Sequence, residues 1–378
     1  MDSRSDAQPF GVYVHVPYCA RACPYCDFDF AVDARPDGAA LIGALGRELE
    51  RREDVRRGHA PRTVYVGGGT PSVLAAEDLA GLLGWISASW DTRACAEWTV
   101  EFNPEHVDEA RLDAVCGAGV GRLSLGVQSF DAAGLRQLGR AHSPAQAVRA
   151  VEAAHARGLH VSLDLIVGWP GQTLEGLRQE LDQVLALSTE HVSIYALTIE
   201  PGTPWERLAE RGVRRLPRVD DAADAISCCA QVLEGAGLCH YEVASYARPG
   251  AEAVHNSGYW QGRDYVGLGP SAASARHCGG GVVRSSNARG ADWWNGEGGG
   301  VETLDAEAAA REALWLSLRL LEGVQVDALL ARVGRDRAWL DERTARARAR
   351  GNVEVAGGRL RVAPGRWLHH DEIAADVL

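Results

Sequence analysis

Lysine is absent from this chain of 378 residues, and all 39 basic side chains are arginine. That absence removes a Walker-type phosphate loop, whose signature needs its lysine, and any lysine Schiff-base chemistry. Charge is one-sided as well: 51 acidic residues leave a formal −12 at pH 7. Such a balance argues against sequence-independent nucleic-acid binding, which rests on neutralising phosphates. No run of 18 apolar residues occurs, so no segment reads as a transmembrane helix. The opening MDSRSDAQPFG holds no apolar stretch of the kind a signal peptide carries. Nine cysteines without the even spacing of a disulfide framework suit a reducing, cytoplasmic setting. Six of them (Cys95, Cys116, Cys228, Cys229, Cys239 and Cys278) read as packed or incidental thiols.

What is present describes an ordinary globular chain, 46% hydrophobic and 24% charged, long enough for one large α/β domain and a smaller one. Strand-like runs at 11–16, 63–66, 98–102, 122–126, 160–167 and 191–197 alternate with helix-period stretches at 39–57, 76–89, 108–118, 144–157, 174–187 and 219–234. A further strand at 241–246 closes the set. Strands separated by helices of this length imply βαβ units and a parallel sheet. Six or seven such units fit an open partial (β/α) barrel with its ligand loops at the strand C-termini. The expected division is a disordered 1–10, a core at 11–248, a Gly- and aromatic-rich connecting loop at 249–300, and a C-terminal domain at 301–378. The last reads as three helices and a hairpin, a small winged-helix-like unit whose arginines at 332–350 form a solvated face.

Three cysteines fall within eight residues: Cys19, Cys23 and Cys26, spaced CxxxCxxC. Thiolates select zinc, copper(I) or an iron–sulfur cluster. A structural zinc needs four ligands, usually as two separated pairs, and no second pair follows here. Three thiolates on a four-iron cube leave one iron open for chemistry.

Two further patterns carry chemistry. Gly67, Gly68, Gly69 and Thr70 directly follow a strand-like run, where glycines let the backbone approach a ligand closely. Glu101, Gln128, Arg140 and Asp164 then sit at or just beyond strand-like runs. A charge in an apolar strand of a parallel sheet is costly unless compensated. Either these side chains face a ligand on the inner side of the barrel, or they pair with one another, as Arg140 with Asp164.

The cysteine spacing resembles the radical S-adenosylmethionine (SAM) superfamily. The surrounding words, YVHVPYC and CPYCDF, are similar to the coproporphyrinogen III oxidase-like branch and, within it, the heme chaperone family HemW. The resemblance implies an α/β fold, a radical SAM partial (β/α)6-type barrel with a small C-terminal α+β (winged-helix-like) domain. It implies a 4Fe-4S cluster on Cys19, Cys23 and Cys26 whose fourth iron chelates SAM. The GGGTP word puts Gly68, Gly69 and Thr70 at the methionine end of SAM and Glu101 at its ribose hydroxyls. Gln128, Arg140 and Asp164 line the remaining volume, and Tyr13 and Tyr25 match aromatic positions beside SAM. HNSGYW reproduces the HNxxYW word of the family, which makes His255 the candidate heme ligand, with Tyr259 and Trp260 as flat porphyrin-facing rings. The plain reading of the same residues is a hydrogen-bonded histidine and two rings sealing a loop, and both stand open at this point.

Two functions follow from the resemblance. One is a heme chaperone that binds the cluster, SAM and heme and hands heme to an acceptor protein. The other is an oxygen-independent coproporphyrinogen III oxidase, a true enzyme of porphyrin biosynthesis. The oxidase carries a fourth cysteine where Phe28 stands here, and has a longer N-terminal extension, so the chaperone is the expectation. No catalytic side chain is assigned. A homodimer is left open, in a family prone to dimerise, and so is peripheral membrane contact.

Overall fold

The computed structural model describes residues 9–52, 54–55 and 57–378. The expectation for residues 1–8 therefore lies outside the described residues. Strand β1 (Phe10–Val16) leads through the cysteine loop, with its short pair β2 (Tyr18–Cys19) and β3 (Ala31–Val32), into helix α1 (Gly38–Arg51). Then come β4 (Thr63–Gly68), α2 (Ala76–Ser89), β5 (Glu97–Phe102), α3 (Glu109–Ala118) and β6 (Arg122–Gln128). Helices α4 (Ala132–Gln137) and α5 (Pro144–Ala156) precede β7 (His160–Val167), α6 (Leu174–Ala186) and β8 (His191–Ala196), followed by α7 (Pro204–Glu210) and α8 (Val219–Gly235). Strands β1, β4, β5, β6, β7 and β8 pair in that order, all parallel, as the alternating pattern predicts.

The period of two along these strands sorts the chemistry. Val64, Val100, Leu123, Leu163 and Val192 are fully buried in the core shared with the outer helices. Their neighbours Tyr65, Thr99, Glu101, Ser124, Asp164 and Ser193 instead line an inner cavity. Side-chain caps start several of the helices: Asp37, Asp108, Asp131 and Thr173 each accept a first-turn N–H, and Ser143 with Gln146 makes a capping box.

Two stretches differ from the expectation. Residues 241–246 do not form one further parallel strand. They split between β9 (Cys239–Glu242) and β10 (Ser245–Ala247), an antiparallel hairpin on the edge of β8. The supposed connecting loop at 249–300 is mostly regular: α9 (Val254–Trp260), β11 (Asp264–Leu268), β12 (Ala273–Cys278), β13 (Gly281–Ser286), α10 (Gly290–Trp294) and β14 (Gly300–Leu304). Strand β11 pairs parallel to β1, and β12, β13 and β14 follow antiparallel. These strands are about as long as β4, β5 and β8, but β12 to β14 are largely solvent-facing and carry no continuous apolar run, so nothing marks them in the sequence. Among the described residues the result is an open twelve-stranded sheet.

The C-terminal unit holds α11 (Ala306–Ser317), β15 (Val324–Gln325), α12 (Val326–Val333), α13 (Arg337–Ala349), β16 (Val353–Ala356), β17 (Arg359–Val362) and α14 (His370–Val377). Leu314, Leu329, Leu340, Leu360 and Ile373 give it a separate core, under a small antiparallel sheet of β15, β17 and β16. Its core begins on α11, so the boundary expected at 301 falls inside β14, which belongs to the large sheet. The arginines of α13 pair largely with Asp341, Glu342 and Asp376. Among the described residues no helix is long and apolar enough to cross a membrane.

Candidate functional site

A cavity of about 510 Å³ opens at the C-terminal ends of the parallel strands. Cys19, Cys23 and Cys26 line it, in a loop turned by a Cys26 N–H donation to the Cys23 carbonyl at 3.2 Å. Cys19 Sγ lies 3.3 Å from Thr70 Oγ1, and Arg140 Nη1 lies 3.5 Å from Cys23 Sγ. All three thiols line this one cavity, and among the described residues no three His, Cys, Asp or Glu side chains are grouped as around one ion. The donor set, three thiols on one loop lining one cavity, fits a cube gripped at three corners. Burial pushes the Cys19 thiol up to about 11 and raises Cys26, so both ionise reluctantly unless a metal takes the sulfur.

The glycine loop at the end of β4 packs against this loop. Gly68 holds φ +109°, and a Cβ on Gly69 would stand 2.6 Å from the Tyr18 carbonyl oxygen. Only glycine permits that approach. A Cβ on Gly67 would meet the Glu101 carboxylate at 2.7 Å. Glu101 accepts from Tyr65 Oη at 2.7 Å and from the Gly68 N–H at 3.2 Å. Burial drives it up to about 7, and Asp164 adds to the rise. Asp164 accepts from Ser124 Oγ at 2.9 Å and is driven up to about 6, again by burial.

Arg140 does not pair directly with Asp164. Its Nη2 donates to Asn103 Oδ1 at 2.5 Å and to the Gly126 carbonyl at 2.8 Å, and its buried Nε has no hydrogen-bond partner among the described residues. Gln128, at φ +66°, sits past a register break in β6 and turns into the same cavity. Tyr25 lines it too, against the apolar cluster of Leu138 and Trp169. Two carboxylates without a salt-bridge partner among the described residues and the Arg140 guanidinium, all lining one cavity, fit a ligand with a cationic centre, hydroxyls and a carboxylate. SAM has all three.

Other lining residues escaped the sequence reading. Ser124, Ser193, Tyr65 and Tyr195 share the inner face with Asp164 and Glu101, and strand alternation in TVYVGG, RLSLGVQ and HVSIYA is the signal that marks them. Below them Glu97 forms an ion pair with Arg122 at 3.2 Å and accepts the N–H groups of Val254 and His255, each at 2.9 Å. This fastens the first turn of α9 under the barrel, where Asn256 lines the same cavity.

Four expected site residues lie elsewhere. Tyr13 bonds His15 Nδ1 at 3.0 Å and stacks on Tyr65. His255 is buried, with Nδ1 2.8 Å from Thr63 Oγ1 and Nε2 2.7 Å from Tyr259 Oη. Both its ring nitrogens are thus engaged within the protein. Tyr13, Tyr259 and Trp260 border a second cavity of about 330 Å³, with Arg319 stacked on Trp260 at 4.1 Å.

The parallel strands, the three-thiol loop and the glycine turn against it define a radical SAM protein, and residues 13–184 match the model of the Radical SAM superfamily. The solved structure of coproporphyrinogen III oxidase (HemN) from Escherichia coli superposes with a TM-score of 0.82, covering 99% of this chain and 91% of that one. At 21% identity that likeness speaks for the fold alone. Heme chaperone HemW of Mycobacterium tuberculosis is 37% identical over 378 residues, covering 95% of this chain and 92% of its own. Heme chaperone HemW of Escherichia coli is 38% identical over 268 residues, 70% of this chain and 69% of its own. The chain belongs to the heme chaperone HemW family.

Proposed function

We propose that this protein is a heme chaperone that holds a 4Fe-4S cluster on Cys19, Cys23 and Cys26, binds SAM in the barrel cavity and passes heme to an acceptor protein. The observation that carries the reading is 37% identity to a heme chaperone over nearly the whole of both chains, joined to a cavity whose unpaired groups suit SAM. When bound, the cluster would supply an open iron to chelate SAM and an electron for its sulfonium. The chain's own residues bind and orient. Gly68, Gly69 and Thr70 present backbone and hydroxyl groups beside the thiols, and Glu101 offers a carboxylate to ribose hydroxyls. Asp164 and Gln128 close the inner wall, Arg140 anchors the cysteine turn, and Tyr25 with its apolar neighbours keeps water from that side. Tyr259 and Trp260 give heme apolar faces at the second cavity.

The oxidase reading is weaker. Phe28, 64% exposed at the cavity, stands where the oxidase has its fourth cysteine. The test is anaerobic reconstitution followed by two assays: transfer of bound hemin to an apo-hemoprotein, and conversion of coproporphyrinogen III. Transfer without conversion is the expected result, and protoporphyrinogen formation would overturn it.

A further inference from the structure

The second cavity shares no lining residue with the barrel cavity. It lies between the antiparallel extension of the sheet and helices α9 and α11. Ala273, Ala275 and His277 share one face of β12, and with Ala309 and Ala313 of α11 their small side chains keep a gap open. Tyr259, Trp260, Tyr265 and Trp315 give it aromatic walls. Its volume lies at the lower end of the ~300–1,000 Å³ usual for small-molecule sites, which suits a cargo held by one edge and released.

His277 is presented there as a metal ligand would be. Its Nδ1 lies 2.9 Å from Asp264 Oδ1, and that oxygen also accepts the His277 backbone N–H at 2.9 Å. A carboxylate on Nδ1 fixes the ring and leaves the Nε2 lone pair outward, the arrangement that orients metal-bound imidazoles. Nε2 has no hydrogen-bond partner among the described residues, and the side chain is 36% exposed. His255 offers the opposite, with both nitrogens spent on Thr63 and Tyr259.

Charge around the rim points the same way. Arg263 lines the cavity, and Arg332 adjoins it at Gly262, where a Cβ would lie 3.4 Å from Arg332 Nη1 and 3.7 Å from His277 Nε2. Neither arginine has a carboxylate partner among the described residues, whereas Arg284 is held by Glu302 and Glu312. Two partly buried guanidiniums without counter-ions fit a ligand that brings carboxylates. Among the described residues Arg263 donates only to the Val254 carbonyl and Gln261, and Arg332 only to the Gln261 carbonyl and Ser317, so their charge is left uncompensated. An aromatic slot, an oriented imidazole and two guanidiniums without counter-ions together describe a metalloporphyrin with propionates.

We infer that heme docks in this second cavity, with His277 Nε2 as its axial ligand and Arg263 and Arg332 on its propionates. The inference rests on the heme-chaperone reading above. The test is hemin titration of the full chain, read by its Soret and visible bands. His277→Ala should weaken binding by at least about tenfold and shift the bands, and added imidazole should restore their positions. The Arg263→Gln, Arg332→Gln double variant should lose affinity for hemin but not for hemin dimethyl ester, which has no free carboxylates. Native bands and affinity in His277→Ala, with both lost in His255→Ala, would overturn the ligand assignment and leave the chaperone reading standing. No hemin binding by the unaltered chain would overturn the chaperone reading itself.

Discussion

Arg140 reaches Cys23 at 3.5 Å, guanidinium nitrogen to thiol sulfur, across 117 residues of chain. The same side chain holds Gly126 at the end of β6 and Asn103 just after β5, so one buried cation ties the cysteine turn to two barrel strands. A guanidinium buried beside a neutral thiol returns little for its desolvation. Beside a thiolate bound to metal it is compensated.

Thiol reactivity in the metal-free protein should report that environment. With Cys19 pushed up to about 11, its thiolate fraction at pH 8 falls on the order of a hundredfold below that of an ordinary thiol. Iodoacetamide labelling mapped by mass spectrometry should find Cys19 slower than a free thiol peptide by about that factor, with the rate climbing toward pH 11. Labelling at the peptide's rate at pH 8 would contradict this.

The carboxylates of the cavity should trade stability for binding. Glu101 and Asp164 keep their protons in the fold up to about 7 and about 6, while in the unfolded chain they lose them near their ordinary values. Between those limits the native state binds more protons, so this contribution falls as pH rises. Glu101→Gln should therefore raise the stability of ligand-free protein above pH 7 by about 1–2 kcal/mol, discounted for the water the cavity admits, and weaken SAM. Thermal melts at pH 8 beside equilibrium dialysis of SAM measure both. A lower Tm in the variant would count against an unpaired carboxylate.

Acid should unfold the protein nonetheless. Burial holds His191 and His255 at about 3 and His240 and His370 at about 4. The unfolded chain takes up those four protons near the ordinary histidine value, so this stability is present above it and lost as pH falls toward 4. Four histidines outweigh the two carboxylates acting the other way, giving a loss of roughly 2–3 kcal/mol per pH unit near pH 5.5. Denaturant midpoints at pH 7.5, 6.5 and 5.5 check this, and a flat profile would refute it.

Two glycine substitutions should act in opposite directions. Gly69→Ala drives a methyl group into the Tyr18 carbonyl and should displace the cysteine loop, costing about 1–3 kcal/mol and iron retention. Gly84→Ala, on α2 with nothing near its added methyl, should stabilise by about 0.5–1 kcal/mol. Iron content and Tm of the two variants separate a close-approach glycine from an incidental one.

The site was legible wherever chemistry is written in fixed spacing or in a charge out of place. Cys19, Cys23, Cys26 and the 67–70 turn show as local words, and Asp164 shows because a carboxylate inside SLDLIV needs a reason. Ser124 and Ser193 line the same wall but were hidden, since a small polar residue in a strand raises no such demand. His255 was ambiguous because an imidazole that ligates and one that bonds Thr63 and Tyr259 look alike until the fold places them. The strands β12 to β14 lack the apolar run that marks the buried parallel strands, and His277 was missed with them: its partner Asp264 lies 13 residues away, across a register that only the sheet defines.

The central claim is that three thiols hold a four-iron cluster at the mouth of the barrel. Anaerobic reconstitution with iron and sulfide, read by metal analysis and by electron paramagnetic resonance of the reduced protein, tests it most directly. The account predicts about four irons per chain, a reduced-cluster signal that changes when SAM is added, and loss of both in Cys23→Ala. Zinc or a single iron at those thiols, or an unaltered cluster in Cys23→Ala, would contradict it.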